Sequence, residues 1–68
     1  MELLKIGDQE VQVFEIYESE KARLYRREDT KEKTWIPISA LHPMKFDITN
    51  LTSIRTVKDW FTPKISWK

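Results

Sequence analysis

The 68-residue sequence predicts a mainly β fold: a small, strongly bent sheet or a partly open SH3-like or OB-like barrel with one or two short helical turns. Three observations predict it. Apolar residues recur with period two through residues 11–17 and 22–27, and a β-branched, aromatic run follows at 34–38. Polar stretches of hairpin length, 18–21 and 28–33, separate these runs. A chain this short holds one core and one domain, spanning residues 1–68. A two-layer β+α arrangement is the rival architecture.

Taken in order, "ELLKI" reads as a first strand, closed by a turn at Gly7-Asp8, which includes the only glycine in the chain. "EVQVFEIY" is a second strand. Strict alternation places Val11, Val13, Glu15 and Tyr17 on one side and Gln12, Phe14 and Ile16 on the other. Apolar residues on both sides suit a strand that curls. "ARLYRR" alternates again, and "TWIPI" forms the next strand, with Pro37 at an edge or strand end because it lacks a ladder donor. "ISALH" between Pro37 and Pro43 has room for one helical turn. "FDITNLTSIRTV" is rich in Thr and Ile, which favours strand with a turn at Asn50. Thr56 and Asp59 have capping-box spacing, so "VKDWF" is expected to form a short helix before Pro63; the alternative is a continuous strand over residues 53–61.

Composition narrows the function classes. With no cysteine and one histidine, the chain has no disulfide, no thiolate and none of the usual structural zinc sets. Its core must come from Val, Ile, Leu and the aromatics, or from a partner subunit. His42 lies three residues after Ser39, a spacing too common to indicate a catalytic pair, and Glu18 and Glu20 at a polar turn read as solubilising. A single glycine leaves no phosphate-cradling loop. The chain is therefore expected to be non-enzymatic, with no cofactor and no metal. No apolar run approaches a membrane span and the N-terminus lacks a signal-peptide pattern, so a cytoplasmic setting without membrane contact is expected. Charge is unevenly placed: residues 1–20 carry −5 and residues 21–68 carry +6, for a net +1.

Two features point to binding. Lys21, Arg23, Arg26, Arg27, Lys31 and Lys33 surround Tyr25 on one hairpin, guanidinium groups for phosphates with a ring for base stacking. Glu28, Asp29 and Glu32 in the same hairpin oppose that reading. The second feature is Trp67, penultimate in the sequence and preceded by Ile65, which reads as an exposed edge or oligomer contact. Trp35 and Trp60 or Phe61 read as core, because aromatics bury much area each.

"KTWIPISAL" and "RTVKDWF" together resemble a small, uncharacterised phage and prokaryotic domain family with the pattern "WxPKSQ", a spacer, then "VPEWLA". Trp35, Pro37 and Ser39 match the first piece; Val57, Asp59 (for Glu) and Trp60 match the second. Ile38, Ala40 and Lys58 depart from it. The resemblance covers roughly residues 11–62 and implies a compact β-rich module with Trp35 and Trp60 as paired aromatic anchors, in a phage or mobile-element setting. It implies no activity.

The leading expectation is a non-catalytic binding module, a small accessory protein acting through a protein partner or by self-association. Its expected contact residues are Tyr25, Arg27, Ile65 and Trp67. The alternative is single-stranded DNA or RNA binding through the basic hairpin 21–33, using Arg23, Tyr25, Arg26, Arg27, Lys31 and Lys33.

Overall fold

The computed structural model describes residues 2–68. The strands are β1 (Glu2–Ile6), β2 (Gln9–Glu18), β3 (Ala22–Arg27), β4 (Lys33–Pro37), β5 (Lys45–Asp47) and β6 (Thr52–Thr56). They form one mixed sheet in the order β4-β3-β2-β1-β6-β5. β1 to β4 are a meander of antiparallel hairpins, and the chain then returns to lay β6 parallel to β1, with β5 folded back on β6. The expected bent, mainly β sheet is present, but it does not close into a barrel: β4 and β5 are its two outer strands. Two 3-10 turns, Ile38–Ala40 and Thr62–Lys64, supply the helical content, and among the described residues no helix is long and apolar enough to cross a membrane.

Local chemistry explains the turns. Ile6 pairs with Gln9, leaving Gly7-Asp8 as a two-residue loop, and Gly7 carries φ +59°, a conformation glycine adopts without a Cβ penalty. Ser19 closes the β2–β3 turn: its N–H donates to the Ala22 carbonyl, and its Oγ accepts from the Ala22 N–H at 3.1 Å. At the β5–β6 turn the Asp47 carboxylate accepts from the Thr49 and Asn50 backbone N–H groups and the Asn50 side-chain amide, an Asx turn around the expected Asn50.

One face of the sheet is covered and the other is bare. Leu4, Val11, Val13, Tyr25, Ile36 and Val57 point to the covered face and join Ala40 and Leu41 in the core. With no long helix available, the cover comes from the chain's last residues. Phe61, Ile65 and Trp67 pack on the core, and Lys68 exchanges both backbone hydrogen bonds with Lys33 on β4, each 2.9 Å. This C-terminal strap crosses the covered face and is fastened to the sheet edge.

Three expectations are corrected. Tyr17 does not share a side with Val11 and Val13, because a bulge between Glu15 and Tyr17 switches the alternation and sets Tyr17 opposite Leu24. "VKDWF" is not a helix: Val57 makes an isolated bridge to Leu41, the next residues turn, and the 3-10 turn starts only at Thr62. Pro63 sits inside that turn near its start, where its missing N–H is not needed. Trp35 and Trp60 are not paired core anchors. Both are largely exposed; Trp35 meets Tyr17 edge-to-face, and Trp60 meets Phe61.

Trp67→Ala removes the strap's largest apolar contact. For a half-buried indole the expected loss is about 2 kcal/mol, read as a lower midpoint in urea and a melting temperature down by roughly 10 °C. Trp67→Phe is expected to recover more than half of it.

Candidate binding face

The bare face is where unsatisfied chemistry collects. After the bulge, Tyr17 of β2 stands beside Leu24 of β3, which stands beside Trp35 of β4, one row across three strands. The Tyr17 and Trp35 rings meet edge-to-face with centroids 5.8 Å apart. One step along lie Phe14 and Arg26, with the guanidinium carbon 5.7 Å from the Phe14 centroid. Relative exposures of 47% for Trp35, 59% for Tyr17 and 44% for Phe14 leave these rings open to solvent rather than packed. Alternation places Leu3 and Ile54 on the same side, extending the apolar surface across β1 and β6.

Beside Trp35 an open cleft of about 420 Å³ runs along the β4 edge. Lys33, Thr34, Trp35 and Leu24 line one wall, and Lys64, Ser66 and Lys68 of the strap line the other. No carboxylate side chain lines it.

Charge is sorted between the two faces. Arg23 is paired with Glu15 and, at 2.9 Å, with Glu18. Arg27 is held in a two-pronged grip by Asp29, Nε to Oδ1 at 3.0 Å and Nη2 to Oδ2 at 2.9 Å, while its guanidinium lies 5.3 Å from the Trp67 ring centre. Lys31 reaches Glu28 at 3.4 Å. Around the aromatic row and its cleft, Arg26, Lys33, Lys64 and Lys68 are in no ion pair among the described residues.

The residues expected to bind are thus split. Tyr25 is fully buried at the centre of the core and offers no ring to a ligand. Its neighbours in the alternation, Arg23 and Arg27, face the covered side and are neutralised there. Ile65 and Trp67 are used by the strap. Of the basic hairpin, Arg26 and Lys33 alone reach the bare face unpaired, since Lys31 lies in the turn with Glu28. Tyr17 and Phe14 are not among the expected contact residues, although the apolar content on both sides of "EVQVFEIY" is the signal that one side is left uncovered.

A polar cluster lies on the covered side. Glu2, Glu15, Arg23 and Arg55 all lie near enough to act on the Tyr25 phenol, and the Tyr25 Oη and the Arg55 Nε are buried without a hydrogen-bond partner among the described residues. Burial, and next the charge of Glu15, push the Glu2 carboxyl up from its usual range. Burial pushes the Tyr25 phenol up from 10.0 to about 12. The Arg27 hydrogen bonds hold Asp29 below its usual range, and Asn50 does the same for Asp47. Among the described residues no group of three or more His, Cys, Asp or Glu gathers as a metal site.

Comparison with family models, with curated proteins and with solved structures returns no match, so the resemblance seen in the sequence rests on its own residues.

The Tyr25 phenol gives a pH test of the core. An unfolded chain releases this proton near pH 10, the folded one near pH 12, so the neutral phenol's stabilisation is complete below pH 10 and is lost as pH rises through that window. The loss expected by pH 12 is about 2–3 kcal/mol. Tyr25→Phe removes a hydroxyl without a partner, so its stability near pH 7 is expected within about 1 kcal/mol of the parent, with a flatter alkaline decline in urea titrations.

Proposed function

We propose that the chain is a non-catalytic binding module whose working surface is the bare face of its sheet, and that this face takes single-stranded nucleic acid. The observation that carries the reading is the co-location of open aromatic rings and unpaired cations on one face, while Arg23 and Arg27 on the other side are held by carboxylates. Bases have π faces that stack on rings of any flanking sequence, and phosphates are met by Arg and Lys with release of counterions. Trp35 and Tyr17 are the stacking residues in this reading. Arg26 and Lys33 flank them, and Lys64 and Lys68 continue the positive rim along the cleft. The expected basic hairpin keeps a part in it, but through its outward residues.

A second reading is supported by the same rings. Trp, Tyr and Arg are the residues that most often anchor protein interfaces, and the edge-to-face Tyr17–Trp35 pair is held in place before any partner arrives. This keeps protein–protein contact as a function of the bare face, in place of Tyr25, Arg27, Ile65 and Trp67.

The deciding measurement is a titration of a fluorescent single-stranded homopyrimidine oligonucleotide. With four phosphate contacts, affinity is expected to fall roughly fiftyfold between about 50 and 200 mM salt. Trp35→Ala is expected to weaken binding by about tenfold or more, and Arg26→Ala with Lys33→Ala to flatten the salt slope by about 1.4. Lys31→Ala, in the turn, is expected to leave both unchanged. No binding at the lowest salt removes the nucleic-acid reading and leaves the protein-contact one.

A further inference from the structure

A second surface lies at the opposite edge of the sheet, away from the aromatic row. β5 is an outer strand, so one side of its backbone has no strand partner within the chain. Large apolar residues crowd this edge without cover. Met44 is 50% exposed, Phe46 58% and Ile48 79%, and Leu51 of the following turn is exposed as well. An uncovered apolar strand edge is a template for another strand, and proteins usually blunt such edges with inward charges or proline. Here the segment 44–48 reads Met-Lys-Phe-Asp-Ile, an alternation of apolar and charged residues that is symmetric about Phe46 except for the sign of its two charges.

That exception identifies the occupant. Two copies of this edge, laid antiparallel with Phe46 opposite Phe46 about a two-fold axis normal to the sheet, place residue 45 of one opposite residue 47 of the other. Lys45 then faces the partner's Asp47, twice, and Met44, just before the strand, comes beside the partner's Ile48, the first residue of the β5–β6 turn, twice. Facing residues in an antiparallel pair lie on one side of the sheet, where opposite charges and apolar pairs both stabilise. The Asp47 carboxylate already accepts from its own turn at 2.9–3.3 Å, yet its two oxygens offer about four acceptor sites and leave room for an ammonium group. A one-residue slip sets Lys45 against Phe46 and loses both ion pairs, so charge fixes the register as well as the partner.

We propose that this chain self-associates through β5, as a two-fold dimer centred on Phe46, joining two sheets edge to edge. A three-residue edge is short, so association is expected in roughly the micromolar-to-millimolar range rather than as an obligate dimer. The proposal is independent of the bare face and of what binds there.

Sedimentation equilibrium over a concentration series of the full chain tests it. The parent is expected to show a monomer–dimer equilibrium. Phe46→Lys, which puts two ammonium groups on the axis, is expected to abolish it; circular dichroism and a melt check that this variant folds, as an exposed position allows. Lys45→Glu sets glutamate against the partner's Asp47 twice and is expected to weaken pairing roughly tenfold. Asp47→Asn keeps an acceptor for the turn, and mixing it with Lys45→Glu is expected to give tighter association than Lys45→Glu alone, because one attractive pair is rebuilt and the repulsion is gone. A chain that stays monomeric to about 1 mM overturns the proposal. So does a dimer that ignores the Phe46 and Lys45 changes, or one dissolved by Trp35→Ala instead.

Discussion

A single-layer sheet without a long helix can keep at most one of its faces dry, and everything else in this chain depends on how that is done. The cover is a strap made of the chain's own last residues: Phe61, Ile65 and Trp67 lie on the core and Lys68 is tied to Lys33. A domain of this size buries a modest share of its surface, and without cysteine it has no covalent staple. The strap takes that place by contact. It also fixes the identity of the faces, because the side it crosses becomes interior and the side it leaves stays open to solvent.

The sorting of charge follows from that choice. Arg23 and Arg27 project from β3 toward the covered side, and each is met by a carboxylate in a pair still partly open to solvent; Arg55, the buried arginine of that side, is in no ion pair among the described residues. Arg27 is also capped by the Trp67 ring, so the strap and the ion pair support one another. The acidic N-terminal part of the sequence thereby finds its counterpart in the basic hairpin: Glu15 and Glu18 of β2 pair with Arg23 of β3. What the sequence shows as a basic cluster is, in space, two populations with different roles. Those pointing inward are structural, and those pointing outward remain available.

The strands and turns were legible because they depend on neighbours in the chain: the Gly7-Asp8 loop, the polar break at Ser19 and the turn at Asn50 each have a local cause. The faces were not legible, because alternation fixes which residues share a side and not which side is buried. In β4, Trp35 and Ile36 are both apolar, so either parity satisfies the pattern; Ile36 is interior because its partner Arg23 shares a face with Tyr25, and Trp35 is left outside. In β2 the bulge at Ile16 has no signature in an unbroken run of alternating residues, and it alone moves Tyr17 to the open side. Trp67 reads as an exposed edge or oligomer contact because chain ends are usually mobile; its docking depends on a contact with β4, distant in sequence. Each miss concerns a contact whose cause lies across the sheet.

Sheet twist determines how the two surfaces relate if the β5 edges pair. Neighbouring strands rotate by roughly 20° each, and the path from β2 of one copy to β2 of the other crosses β1, β6 and β5 twice over, which accumulates to about 150°. The two aromatic rows would not lie on one flat platform; they would face nearly opposite ways at the two ends of a continuous twisted sheet. Such a pair gains little avidity for one short ligand, since a linker must reach around the sheet to engage both rows. It is better suited to holding two separate ligands, or two distant stretches of one long strand, at a fixed spacing. On the proposed function, edge pairing would therefore turn a single-site module into a bridging one without altering the chemistry of either face.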